Sequence, residues 1–300
     1  MTNGIRAIRT LRQLRAQVAA WRAAGETIAL VPTMGALHEG HLALVRLGRQ
    51  RCRRVVVSIF VNPTQFAPHE DFERYPRDEA GDLAKLAGVG CDAAWMPDRG
   101  LMYPDGFATR IVPEGAAAGL ESDTRPHFFG GVATVCCKLF GQVAPDVAVF
   151  GEKDYQQLCV IRQTVRDLDL PLEIVGAPTV RDADGLALSS RNAYLTPEQR
   201  RIAPELNRAI TRVAAAVRTG AAPAEAAAQA RDDIARAGFS PVDYVEVRDA
   251  DTLAPATAGG GRSLRVLAAA WLGKTRLTTT SPSEAALIRP QAPRACIRAP

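Results

Sequence analysis

Thr27-Ile28-Ala29-Leu30-Val31-Pro32-Thr33-Met34-Gly35-Ala36-Leu37-His38-Glu39-Gly40-His41 is the stretch on which the rest of the chain turns. Thr27 to Val31 is aliphatic and β-branched enough for a buried parallel strand, and Leu42 to Arg53 alternates aliphatic and basic positions at helical spacing. The two histidines therefore fall at a strand-to-helix junction. A helix N-terminus carries unpaired N–H groups and partial positive charge, so a phosphate placed there is stabilised before any side chain acts. His38 and His41 add two neutral or protonated donors whose i, i+3 spacing can put both rings on one face of the first turn, and Gly40 leaves room for a flat base or sugar. A single histidine is commonly a surface or core residue, but this chain has 4 and places two of them close together here. A zinc-protease helix needs H-E-x-x-H, one residue wider than the spacing found, so the pair reads as a phosphate site and not as a metal site.

Composition bounds the class. With 300 residues, 47% hydrophobic and 23% charged, the chain can bury one large core or two domains and reads as globular. Its apolar runs are too short to span a bilayer, and Trp21, Trp95 and Trp271 are scattered, so no membrane helix is expected. The 6 cysteines show no C-x-x-C spacing, and Cys136-Cys137 sits in an apolar helical run. They read as reduced, which places the chain in the cytoplasm. A net charge of +5 could suggest nucleic acid, but the basic residues are spread and aromatics make up 6%. A weakly basic chain suits small anionic substrates instead.

From the N-terminus, Arg6, Arg9, Arg12, Arg15 and Arg22 without an acidic residue have the composition of a mitochondrial transit peptide. Leu11, Leu14, Val18 and Trp21 recur at helical spacing, however, and Gly25 supplies a stop, so a docked first helix is expected. Val55 to Val61 reads as a central parallel strand ending at Asn62-Pro63-Thr64-Gln65-Phe66. In a doubly wound sheet ligands bind beyond the carboxyl ends of strands, which sets this turn beside His38 and His41. Further expected elements are a helix over 78–86, a strand over 92–97, a helix over 132–140 and a strand over 146–150. That strand ends in Gly151-Glu152-Lys153-Asp154-Tyr155-Gln156-Gln157, which opens a helix over 154–168. There Lys153 is placed to meet phosphate oxygens, Asp154 can accept from ribose hydroxyls, and Gly151 lets backbone approach a nucleotide. Residues 171–176 give the last strand of this sheet. From about residue 178 the character changes to a turn, the hydroxyl pair Ser189-Ser190 and Arg191, then Ala-rich helices over 197–218 and 223–237, and paired strands over 242–248 and 264–272. The prediction is an α/β protein, a Rossmann-like doubly wound parallel sheet over 1–177, with a smaller C-terminal α+β domain over 178–280, which the family resemblance drawn below implies is a lid, and an atypical, disordered tail over 281–300.

These motifs together resemble the pantothenate synthetases, members of the nucleotidyltransferase superfamily, which join pantoate to β-alanine using ATP. The resemblance runs from about Thr27 to about Arg276 and gathers H-x-G-H, Asn-Pro-x-Gln-Phe, Gly-Glu-Lys-Asp and the Ser-Ser-Arg segment. It implies a pantoyl-adenylate intermediate and ATP contacts from Met34, His38, His41, Gly151, Lys153, Asp154, Val180, Leu188, Ser189, Ser190 and Arg191. Pantoate would be bound by Gln65 and Gln157 and β-alanine by Gln65, with His41, His38 and Lys153 catalytic and His41 the proton donor. Mg²⁺ would be held mainly by the ATP phosphates, with no dedicated protein metal site. A homodimer built through the larger domain is implied, with no nucleic-acid or membrane partner. The chain departs from the pattern at Arg125-Pro126-His127-Phe128-Phe129-Gly130-Gly131-Val132, where Phe128 takes the family's histidine position and His127 stands one residue early, within reach of substituting for it. After Arg276, where relatives continue Leu-Ile-Asp-Asn, it reads Leu277-Thr278-Thr279-Thr280, which puts the closing strand of the small domain in doubt. Rival readings are an adenylyltransferase for a phosphorylated acceptor, against which the amides of Gln65 and Gln157 argue, and a non-catalytic nucleotide-binding protein, against which His38, His41, Lys153 and Arg191 argue.

Overall fold

In the computed structural model, which describes residues 5–66, 70, 72–256 and 263–283, two sheets divide the chain. The first half runs β1 (Arg6–Ile8), α1 (Leu11–Ala23), β2 (Ile28–Thr33), α2 (Glu39–Arg51), β3 (Arg54–Ile59), α3 (Glu79–Gly88), β4 (Ala93–Trp95), the short α4 (Arg99–Met102) and α5 (Glu121–Thr124), α6 (Phe128–Val143), β5 (Val147–Gly151), α7 (Tyr155–Asp167) and β6 (Glu173–Ala177). The second half runs α8 (Pro197–Ile202), α9 (Pro204–Arg218), α10 (Pro223–Arg236), β7 (Val242–Asp249), β8 (Leu264–Leu272) and β9 (Thr275–Pro282). Strands β1 to β6 form one parallel sheet in the order β1-β4-β3-β2-β5-β6. β7, β8 and β9 form a smaller antiparallel sheet covered by α9 and α10.

Side-chain alternation assigns the two faces of the large sheet. Ile28, Leu30 and Val56 pack with α1, α6 and α7, whereas Ala29, Val31, Val55 and Val57 pack with α2 and α3. Helices on both faces bury every central strand, which is why those strands read as continuous aliphatic runs. The chain builds β3 and β4 on one side of β2 and returns to place β5 on the other, so the strand order reverses between β2 and β5. The crevice at that switch point is where a doubly wound sheet binds its ligand.

Several local expectations are corrected. The N-terminal segment is not all helix: Arg6–Ile8 pairs with Ala93–Trp95 as an edge strand, and the helix begins only after Thr10, whose hydroxyl accepts from the Gln13 N–H. A strand of 3 residues is too short to leave a periodic signature. α6 starts at Phe128, four residues before the expected start at Val132, because Gly131 serves packing and not a loop. A Cβ on Gly131 would lie 2.6 Å from the Thr64 carbonyl oxygen, so this glycine lets α6 approach the turn after β3. The expected helix over 197–218 is two, broken at Ala203-Pro204, with Pro204 at the first position of the second. The closing strand placed in doubt is present: β9 pairs with β8 from Leu272↔Thr275 to Arg265↔Pro282, its β-branched threonines suiting a pleated surface. Ser281 and Pro282, expected in the tail, belong to this strand, while residues 284–300 lie outside the described residues.

Candidate active site

The turn after β2 and the turn after β5 stand side by side at the switch point. With the 180–192 segment and β9 they enclose a cavity of ≈370 Å³. Met34, His38, His41, Gln65, Gly151, Lys153, Asp154, Gln157, Val180, Leu188, Ser189, Ser190 and Arg191 all line it, so residues expected from sequence at four separate places converge on one space.

His38 and His41 build this helix start themselves. The Gly40 N–H donates to His38 Nδ1 (3.2 Å), and the His38 N–H donates to His41 Nδ1 (3.3 Å), a reciprocal cap in which imidazoles take the places of the usual hydroxyl and carboxylate. The rings lie 4.1 Å apart between centroids. Burial, with the charges of Lys153 and Lys85 added, pulls His38 down to about 4, and burial, with His38 and Lys153 added, pulls His41 down to about 3. Both are neutral at pH 7, and because each Nδ1 accepts, each single ring proton sits on Nε2. The pair therefore offers two N–H donors without adding charge. Gly40 has a second reason to be glycine, since a Cβ there would lie 2.9 Å from the His38 ring.

Across the crevice, Lys153 Nζ lies 3.2 Å from Asp154 Oδ1 and 3.2 Å from Thr278 Oγ1, so β9 helps hold the lysine. Desolvation pushes the Asp154 carboxyl up, but the Lys153 charge and hydrogen bond outweigh it and hold the group below its ordinary value. Ser189 Oγ accepts from the Arg191 N–H, and Ser190 Oγ donates to the Ala36 carbonyl (3.0 Å), tying the 180–192 segment to the turn that precedes His38.

Gln65 is oriented from behind. Asn62, 1% exposed, donates from Nδ2 to Gln65 Oε1 (2.9 Å) while its Oδ1 accepts from Tyr103 and Thr64 hydroxyls. With Oε1 engaged, the free hydrogen-bonding end of Gln65 is its Nε2 donor. Arg125 fixes the same residue's backbone, donating to the Gln65 carbonyl (2.9 Å) and to both Glu70 oxygens. The two neighbouring glutamines differ in what their amides bond. Both border the cavity, but Gln156 is 3% exposed and spends its amide on the Ala116, Gly119 and Glu121 backbone, which leaves Gln157 as the one placed to meet a ligand.

At the Phe128 departure, Phe128 lines the cavity with the Arg125 guanidinium stacked 3.9 Å over its ring, and His127 is exposed at the N-cap of α6 with no side-chain cap bond. His127 does not take the histidine's place.

Composition and spacing gave no sign of the wall contributed by Glu121, Tyr244 and Arg276. The Tyr244 hydroxyl donates to Glu121 Oε1 (2.6 Å), Arg276 bonds both Glu121 oxygens (2.9 and 2.8 Å), and its Nε bonds Asp243 (2.6 Å). This buried network ties α5 to β7 and β9 of the smaller sheet at the cavity, and Tyr244 is pushed well up, first by burial and then by Glu121. Long sequence separation, 121 against 244 and 276, hides such a cluster from local reading.

Residues 6–280 match the model of the pantoate-β-alanine ligase family. The chain belongs to that family. A Mesorhizobium japonicum pantothenate synthetase is 59% identical over 270 residues, 90% of this chain and 95% of that protein, and a Paramagnetospirillum magneticum pantothenate synthetase is 56% identical over 92% and 97%. Among solved structures, a Thermus thermophilus pantothenate synthetase superposes with a TM-score of 0.88 at 44% identity, covering 94% of this chain and 100% of that one. A Francisella tularensis pantoate-β-alanine ligase, solved in complex with β,γ-ATP and β-alanine, gives 0.79 at 31% identity, covering 94% and 99%. Pantoate-β-alanine ligases are amide-forming enzymes, and the Rossmann-like sheet with its smaller α+β domain is theirs. Among the described residues no helix is long and apolar enough to cross a membrane.

Proposed function

We propose that the cavity at the β2/β5 switch point carries out both halves of ATP-dependent pantoate–β-alanine condensation. The observation that carries this reading is the convergence there of donors for a triphosphate with two amides for a hydroxy acid. The pantoate carboxylate, ionised at pH 7, attacks the α-phosphorus of ATP; the bond to the bridging oxygen breaks and pyrophosphate leaves. The amine of β-alanine then attacks the acyl carbon, and AMP leaves with the carboxylate oxygen that attacked first. No protein nucleophile is needed, so the residues align the reactants and stabilise phosphate charge. His38 and His41 donate from Nε2, His41 meeting the oxygen charge that develops at the reacting phosphate, and Lys153, Ser189 and Arg191 hold the remaining phosphate oxygens. Asp154 accepts from the ribose, and Met34, Gly151, Val180, Leu188 and Ser190 complete the nucleotide side. Gln65 and Gln157 bind pantoate, and Gln65 Nε2 afterwards meets β-alanine.

Around the turn the site offers N–H, ammonium, guanidinium and hydroxyl groups, and the Asp154 carboxylate beside them is engaged by Lys153. This set fits a metal-bound triphosphate and not a bare cation, so Mg²⁺ is taken to arrive on the ATP phosphates and to supply further charge neutralisation there. We read residues 1–177 as the nucleotide- and pantoate-binding domain and 178–280 as its lid, supported by a hydrophobic core of Leu206, Ile210, Val213, Ile234, Val245 and Val266 that draws on the second segment alone, while Tyr244, Leu267 and Ala269 pack onto the first. A homodimer through the larger domain follows from the family resemblance, and a cytoplasmic location is supported by the free thiols of Cys52, Cys91, Cys136, Cys137 and Cys159.

The test is isotope exchange between pyrophosphate and ATP. Exchange that requires pantoate and proceeds without β-alanine is expected; exchange indifferent to pantoate would overturn the reading.

A further inference from the structure

We propose that Asp82 and Lys85, neighbours on α3, are positioning residues for adenylation, gripping the backbone just before His38 and thereby holding both imidazoles in place. The turn they hold is one the chain does not favour by itself. Gly35 has φ +82° and Ala36, an L residue with a Cβ, has φ +49°. Asp82 is 1% exposed and spends both carboxylate oxygens on this turn: Oδ2 accepts from the Ala36 N–H (2.9 Å) and Oδ1 from the Leu37 N–H (2.7 Å). Lys85 Nζ donates to the Leu37 carbonyl (2.8 Å) and stands 3.9 Å from Asp82 Oδ1. Residue 37 is thus held at its N–H by the carboxylate and at its carbonyl by the ammonium. The next N–H along the chain, that of His38, donates to His41 Nδ1, so the grip runs without a break into the histidine cap. On the opposite side Ser190 donates to the Ala36 carbonyl, so the turn is clamped between α3 and the lid.

A buried carboxylate is costly unless its hydrogen bonds are worth the desolvation, and burial does push Asp82 up against the pull of the Leu37 and Ala36 N–H groups. Neither Asp82 nor Lys85 lines the cavity, so neither touches substrate. They act through backbone placement. Gly35 fits the same picture: a Cβ there would lie 3.1 Å from Asp82 Oδ2, so the tight seat of the carboxylate requires glycine at that position.

This inference rests on the assignment of the His38–His41 turn to ATP, and the experiment separates the two. Full-length chains carrying Asp82→Asn, Lys85→Met or His41→Ala are assayed for pantoate-dependent ATP–pyrophosphate exchange, with kcat and both KM values, and melted in parallel. Asp82→Asn sets an amide NH₂ against one of two backbone N–H groups, and misplacing the turn by about 1 Å is expected to lower kcat about a hundredfold while the KM for pantoate stays within about twofold. Lys85 is 43% exposed along its side chain, so Lys85→Met tests the grip with little risk to folding; about a tenfold fall in kcat with an unchanged melting temperature is expected. Lys85→Met at the wild-type kcat, or Asp82→Asn losing activity only in proportion to its folded fraction, would overturn the positioning role even if His41→Ala is inactive. His41→Ala exchanging at the wild-type rate would overturn the assignment of the turn itself, and the grip with it.

Discussion

The reciprocal cap predicts that the two nitrogens of His41 can be removed separately. Nδ1 accepts from the His38 N–H at 3.3 Å and serves the fold, while Nε2 carries the only ring proton at pH 7 and serves the chemistry. Asparagine places an acceptor near the Nδ1 position and nothing at Nε2; glutamine reaches toward Nε2 with an N–H and leaves the cap unmade. His41→Asn should therefore melt within about 1 kcal/mol of wild type, since a capping acceptor is retained. It should nevertheless lose about 10²–10³ in the kcat of adenylation, the usual cost of one donor to developing oxygen charge. His41→Gln should lose about 1 kcal/mol of stability and keep adenylation within about tenfold. Pantoate-dependent ATP–pyrophosphate exchange and thermal melts of the same preparations read both quantities. An asparagine variant within tenfold of wild type, or a glutamine variant as inactive as asparagine, would refute the division of labour between the nitrogens.

Three further outcomes follow from the same geometry. Gln65→Ala and Gln157→Ala should raise the Kd for pantoate by an amount worth about 1–3 kcal/mol and leave that for ATP nearly unchanged, whereas Gln156→Ala, which strips the 116–121 backbone of its partner, should chiefly lower the melting temperature; calorimetric titration that found equal losses for both ligands would make Gln65 and Gln157 structural. Because His38 and His41 fall from 6.5 to about 4 and about 3 on folding, the unfolded chain binds more protons between those values. Their stabilising effect is whole above pH 6.5 and is lost as pH falls through 4 and 3, with ~1–2 kcal/mol per histidine gone by pH 5, so a melt series should decline faster in wild type than in a chain with both histidines changed to asparagine. Finally, Arg181 is held by the Thr279 hydroxyl (2.9 Å) and the Thr280 carbonyl (2.7 Å), has no carboxylate partner among the described residues, and is pulled down by burial. Thr279→Asp, the residue the family pattern places there, should add about 1 kcal/mol of stability, and a lower melting temperature would contradict that.

How much of this was legible depended on the range of the interaction. Val55 to Val57 and Ile28 to Val31 announced buried parallel strands because both of their faces are covered, and the polar clusters at their carboxyl ends followed the sheet's own rule. The start of α6 was not legible, because Phe-Phe-Gly-Gly looks like a loop until the close approach of Thr64 to Gly131 is seen. Nor was the tautomer of His38 and His41, since sequence spacing shows that two rings can share a face but not that each ring accepts from the backbone. The threonines after Arg276 looked like the end of order, yet pairing with β8 makes them a strand and brings Thr278 onto Lys153. Asp82 carried no signal at all: its role appears only when a helix beginning at Glu79 is laid against a turn 46 residues earlier.

The central claim, that a pantoyl adenylate forms and is consumed at the β2/β5 cavity, is tested most directly by following one oxygen. Pantoate labelled with ¹⁸O in its carboxylate is turned over with ATP and β-alanine, and the products are weighed by mass spectrometry. Attack on the α-phosphorus followed by amide formation predicts one ¹⁸O in AMP and one in the amide carbonyl, with unlabelled pyrophosphate. Label in pyrophosphate or in inorganic phosphate, or AMP without label, would contradict the account.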